Sequence, residues 1–125
     1  MSVVFSGDTT VTANLVTLAR HTDVLVHEAV YPAGLAALGV SQALVDRILF
    51  AHADVVELGR IAADADAGAL VATRLGPGGP AAVPDATWRR RLLSDGARRS
   101  GYGGRVPLGA DLMHVPARPA RARRG

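Results

Sequence analysis

Cysteine is absent from the 125 residues, and so is lysine: all fourteen basic residues are arginine. Without cysteine there is no disulfide, no thiolate zinc site and no cysteine nucleophile. That composition fits a reducing compartment, so the expected location is the cytoplasm. No apolar run approaches ~18 residues, which excludes a membrane-spanning helix. The opening Met-Ser-Val-Val-Phe-Ser-Gly-Asp lacks the basic start and long apolar centre of a signal peptide. Aromatic residues make up only 4%, and none interleaves with the arginines in the way specific nucleic-acid readers require. No phosphate loop, dinucleotide fingerprint or Gly-x-Ser-x-Gly elbow occurs.

What remains is a chain 49% hydrophobic and 20% charged. Its length suits one domain, which at this size buries roughly two-thirds of its unfolded surface. The net charge of +3 is unevenly spread. Residues 1–86 hold four arginines and nine acids, and residues 87–125 hold ten arginines and two acids. The excess of arginine and alanine reads as compositional bias, and the Arg-rich end gives at most a weak, salt-sensitive attraction to nucleic acid.

Strand and helix signals alternate. Residues 2–5 form a short β-branched and aromatic run closed by Gly7. Val11, Leu15, Leu18 and Ala19 follow at helical spacing. Residues 23–28 read as a buried strand with polar ends. Ser41 is a candidate N-cap for a helix striped by Leu44, Val45, Ile48 and Leu49. Asp54 and Glu57 have capping-box spacing before a helix running to about Asp66. Residues 69–73 read as a third strand. Gly76 to Pro80 form an irregular loop, Pro84 and Asp85 open a helix through Trp88 and Leu92, and Arg105–Val115 reads as a final strand or hairpin bent at Gly109. The division expected is one domain over 1–116 and a disordered Arg-rich tail over 117–125. The pattern implies an α/β unit. Its first strand opens at Ser2, so its neighbours are expected to come from elsewhere.

Four places could carry chemistry. Asp8 follows a glycine at a strand end, where α/β folds bind ligands; by type alone it reads first as a turn or cap residue. Glu28 ends the second strand beside His27, and lacks the spacing of a zincin. His52 precedes a helix start, and histidine as a type exchanges protons near neutrality, although a lone histidine is more often structural. Arg74 ends the third strand. Arg89, Arg90 and Arg91, with Trp88 beside them, could touch phosphates, but the run covers most of a helical turn rather than one face and is expected to be a solvated surface.

The order Val3-Val4-Phe5-Ser6-Gly7-Asp8-Thr9, Asp23-Val24-Leu25-Val26-His27-Glu28-Ala29, His52, Gly59-Arg60-Ile61-Ala62, Leu70-Val71-Ala72-Thr73 and Gly109-Ala110-Asp111-Leu112-Met113 resembles the C-terminal half of a metallo-β-lactamase-fold hydrolase. The nearest branch is the ribonuclease Z and arylsulfatase-like group. The resemblance implies half of an αββα sandwich, with a mixed sheet and helices on one face. It also implies metal-assisted hydrolysis of phosphodiester, sulfate-ester or related bonds. Asp8 matches the carboxylate that bridges two zinc ions, and Glu28 and His52 match the pair that moves a proton to the leaving group. The sequence departs from the family in lacking the His-x-His-x-Asp-His segment, and Arg74 stands where a metal-binding histidine belongs. Ala53 and Asp54 replace the small hydroxyl residues that follow the proton-transfer histidine.

Catalytic zinc normally takes three protein ligands and a water, so this chain alone is expected to bind none and to be hydrolytically inactive. If strand ends one and three meet as the family implies, Arg74 sets a guanidinium beside Asp8 in place of the metal's charge. Two alternatives stand beside this reading. A separate chain could complete the hydrolase with the His-rich segment, or the chain could serve as a non-catalytic interaction module. The expected partners are a missing N-terminal half, or a second copy docked on the exposed inner sheet face.

Overall fold

The computed structural model describes residues 1–79 and 81–116. Three strands form the sheet: β1 (Val3–Phe5), β2 (Val24–Val30) and β3 (Leu70–Gly76), in the order β1-β2-β3. Both pairings are parallel, with Val4 opposite Leu25 and Leu25 opposite Leu70. Parallelism follows from the connections, since each strand reaches the next through a helical crossover. Helix α1 (Ala13–Leu18) makes the first. Helices α2 (Pro32–Ala37), α3 (Gln42–Ala51) and α4 (Leu58–Asp64), with a 3-10 turn at Val55–Glu57, make the second.

The sheet is therefore parallel where a mixed one was expected. Residues 105–115 do not form the expected final strand or hairpin. They run beside β3 through two isolated parallel bridges, Ala69 to Arg105 and Ala72 to Leu108. Pro107 sits between those bridges and has no N–H to donate, which interrupts a regular ladder.

Alternation along the strands separates two faces. Leu25, Ala29, Leu70 and Ala72 pack with Leu15, Leu58, Ile61, Ala62, Trp88 and Leu92 into the main core. Helices cover this face, as expected. Each fully buried Leu or Ile contributes about 1.5–3 kcal/mol relative to exposure. Val24, Ala69 and Val71 form the opposite face with Val26, Met113 and Val115. On that side Phe5 stays 71% exposed.

Local signals set most helix starts. Thr12 Oγ1 accepts from the Leu15 N–H at 3.2 Å, and Ser41 Oγ accepts from the Leu44 N–H at 3.4 Å. Asp54 Oδ1 accepts from the Val56 N–H at 3.1 Å, while Glu57 turns instead to Arg60. The capping box is thus half made. Helix α2 escaped the periodicity because it is short and rich in alanine; Pro32 at its first turn is its marker.

The last helical stretch runs from α5 (Asp85–Arg90) through a π-helical segment, Arg91–Ala97, into α6 (Arg98–Ser100). A Cβ on Gly59 would lie 2.6 Å from the Ala97 backbone. Gly59 therefore lets α4 and the π segment touch backbone to backbone, and Gly59→Ala would force them apart. Among the described residues no helix is long and apolar enough to cross a membrane. The tail expected to be disordered, 117–125, lies outside the described residues.

Candidate functional site

The strand ends converge on a cavity of about 260 Å3, lined by Asp8, Glu28, Val30, Leu35, Ile48, His52, Arg74 and Gly76. All four residues singled out from the sequence line it. Asp8 arrives from the loop after β1, Glu28 from β2, His52 from the end of α3 and Arg74 from β3.

Glu28 is 2% exposed, and both of its carboxylate oxygens face partners. Oε1 accepts from the Ala53 N–H at 2.8 Å. Oε2 lies 3.4 Å from His52 Nδ1, within ion-pair reach. The Glu28 N–H in turn donates to Ser6 Oγ at 3.2 Å, tying β2 to the loop that carries Asp8. His52 is 30% exposed in its side chain. With Nδ1 turned to Glu28, Nε2 is the atom that can meet a bound group.

Arg74 reaches the cavity through an irregularity in β3. Glu28 pairs with Thr73 and Ala29 with Leu75, so Arg74 is the extra residue of a bulge. Its φ of 45° lies in the left-handed region, which non-glycine residues seldom occupy. Bulges re-aim side chains, and this one sends the guanidinium to Asp8. Nη1 lies 3.3 Å from Oδ1, and Nη2 donates to Oδ2 at 3.4 Å. The two side chains are 67% and 46% exposed.

These residues do not fit a zinc centre. At Asp8, the position that the sequence resemblance sets against a metal ligand, a cationic guanidinium faces both oxygens. Both oxygens of Glu28 are already engaged. Among the described residues no group of three or more His, Cys, Asp or Glu is placed to hold a metal ion.

His27 belongs to the other side of the sheet. It is fully buried, and its Nδ1–H donates to the Glu28 carbonyl at 2.7 Å. Its Nε2 is buried without a partner. Burial lowers its pKa from the usual 6.5, against the opposing pull of the Glu28 carbonyl and carboxylate, so it stays neutral.

Arg91 corrects the expectation of a solvated run. It is half-buried, with its guanidinium 5.3 Å from the Tyr31 ring centroid and Nη1 donating to Asp95 at 2.7 Å. Tyr31 meets Trp88 edge to face at 5.9 Å. Arg91 therefore packs on Tyr31, just past the C-terminal end of β2, and only Arg89 and Arg90 of the run are exposed.

Sequence reasoning missed the Ala53 N–H and the apolar wall of Val30, Leu35 and Ile48. A backbone donor carries no side-chain signature. The wall comes from three separate elements, and only the stripe residue Ile48 left a mark.

No protein family matches the chain, and no curated protein does. Among solved structures the chain is similar to the metallo-β-lactamase fold protein YhfI from Bacillus subtilis, at 23% identity with a TM-score of 0.58. The likeness covers 86% of this chain and 36% of that one, so the chain spans about a third of the structure it matches. The parallel sheet, its helix-covered face and this likeness together make the chain a partial metallo-β-lactamase fold.

Proposed function

We propose that the chain carries the proton-transfer part of a metallo-β-lactamase-fold hydrolase, and that it does not turn over substrate by itself. The observation that carries this reading is Glu28: a buried carboxylate held by the Ala53 N–H and set against His52, which opens onto the cavity. A carboxylate so placed fixes the orientation of the imidazole. His52 Nε2 then delivers a proton to the oxygen of a departing group. Glu28 neither touches substrate nor moves, because its own hydrogen bonds fix it. The ester class follows the family expectation of phosphodiester, sulfate-ester or related bonds.

Arg74 and Asp8 occupy the place where that chemistry needs its electrophile, and the guanidinium there keeps the chain silent alone. A separate chain with the His-x-His-x-Asp-His segment is the proposed complement. The exposed sheet face around Phe5 favours that reading, because it leaves apolar surface open beside the site.

The test is hydrolysis of chromogenic phosphodiesters and aryl sulfates with added zinc. The chain alone should match His52→Ala and Glu28→Gln, with no turnover above background. Arg74→His supplied with a His-rich half should gain activity, and His52→Ala should then cost more as the leaving group becomes more basic. Zinc-dependent turnover by the unmodified chain alone would overturn the silent reading. A restored activity indifferent to His52 would overturn the proton-transfer role.

A further inference from the structure

The helical stretch 85–100 buries Trp88, Leu92, Gly96 and Ala97. Its exposed positions come in pairs: Asp85 and Ala86, then Arg89 and Arg90, then Leu93 and Ser94, then Arg98 and Arg99. The spacing is four residues, four again and then five. In an α-helix of about 3.6 residues per turn, positions nine apart lie on opposite sides. The π segment Arg91–Ala97 has wider turns, with i to i+5 bonding. It takes up the extra residue and returns Arg98 and Arg99 to the side that carries Arg89 and Arg90. The result is a straight cationic stripe along one helix face.

The stripe carries one acid, Asp85, at its start. Arg91 takes Asp95 for itself, and none of the four exposed arginines makes an ion pair among the described residues. Four guanidiniums against one acid, none of them ion-paired, are suited to a partner bearing regularly spaced anions, because each fork binds a phosphate through two N–H groups. A bilayer is the poorer match. The apolar side of this helix is locked into the core through Trp88 and Leu92, so it has no face to insert. Leu93 is the one large apolar residue on the stripe, and it is 38% exposed.

We propose that the outer face of residues 89–99 binds the phosphate backbone of nucleic acid without reading sequence. No aromatic lies on the stripe to stack a base, so contact is to phosphates, which position a partner but do not specify it. The site is independent of the cavity and of the hydrolase reading.

The experiment titrates the full chain against a short fluorescent mixed-sequence duplex over a range of salt. Arg89→Ala with Arg90→Ala, or Arg98→Ala with Arg99→Ala, should each lower the salt slope by about one unit per arginine. Either pair should weaken low-salt binding by about tenfold. Arg20→Ala with Arg47→Ala makes the same charge change at exposed positions off the stripe and should leave binding within twofold. Arg98→Lys with Arg99→Lys should retain most of it, and circular dichroism checks that every variant keeps its helices. Equal losses from the control pair would overturn the stripe in favour of diffuse charge. Absence of duplex binding at low salt would also overturn it. So would tighter binding to phosphatidylserine vesicles than to duplex, since that would make a membrane the partner.

Discussion

Glu28 and His52 meet on the closed side of the cavity, and Asp8 and Arg74 meet on its open side. Both pair an acid with a base, yet their surroundings differ. Glu28 is buried and has a partner for each oxygen, one of them a backbone N–H. Asp8 and Arg74 sit in water, and their two contacts are long. A buried carboxylate costs free energy unless its lone pairs are satisfied, so its geometry is tightly specified. An exposed pair has water as an alternative partner, contributes about 0–1 kcal/mol, and is free to exchange that partner. The buried pair is therefore a rigid part of the fold, and the exposed pair is the replaceable part of the site.

Substitutions can break that contrast. The largest effect is expected from Glu28→Ala. It leaves the Ala53 N–H without its acceptor and removes a packed side chain, for a loss of about 1–3 kcal/mol in chemical denaturation. Glu28→Gln keeps an acceptor and should cost less. A fully stable Glu28→Ala protein would show that burial does not distinguish the pairs.

Acid gives the next effect. His27 has its pKa lowered by burial, so the unfolded chain binds more protons than the folded one. Its contribution to stability is complete above the unfolded value of 6.5 and is lost as pH falls below it. The denaturation midpoint should fall between neutral and mildly acid pH, and His27→Leu should flatten that slope. An unchanged slope would place the acid sensitivity elsewhere.

The smallest effect is at the open side. A double-mutant cycle of Asp8→Ala and Arg74→Ala should give a coupling of about 0.5 kcal/mol or less, and high salt should erase it. The same cycle on Glu28→Gln and His52→Ala should give a larger coupling that salt hardly changes. Equal couplings would remove the distinction.

Much of this site was legible as residue types near the ends of strands and helices. Asp8, Glu28, His52 and Arg74 each stood out, and all four line one cavity. Their partners were not legible. The Ala53 N–H that holds Glu28 is main chain, and any residue there except proline would supply it. The bulge at Arg74 was hidden too, because arginine does not advertise a left-handed φ as glycine does. Helix α2 lacked the length to show a period, and residues 105–115 showed a strand pattern that Pro107 prevents from forming a ladder.

The sequence by itself determined the alternation of apolar strands and amphipathic helices, because those periods are local and repeat every two or about 3.6 residues. It thereby set the α/β class, the helix-covered face and the charge of each site residue. Tertiary structure alone decided which charges meet. One extra residue in β3 turns Arg74 onto Asp8, and a π segment turns two arginine pairs onto one side of a helix. Both are shifts of a single residue in register. Such a shift leaves composition and periodicity nearly unchanged but re-aims every side chain beyond it, and only packing against the rest of the molecule selects it.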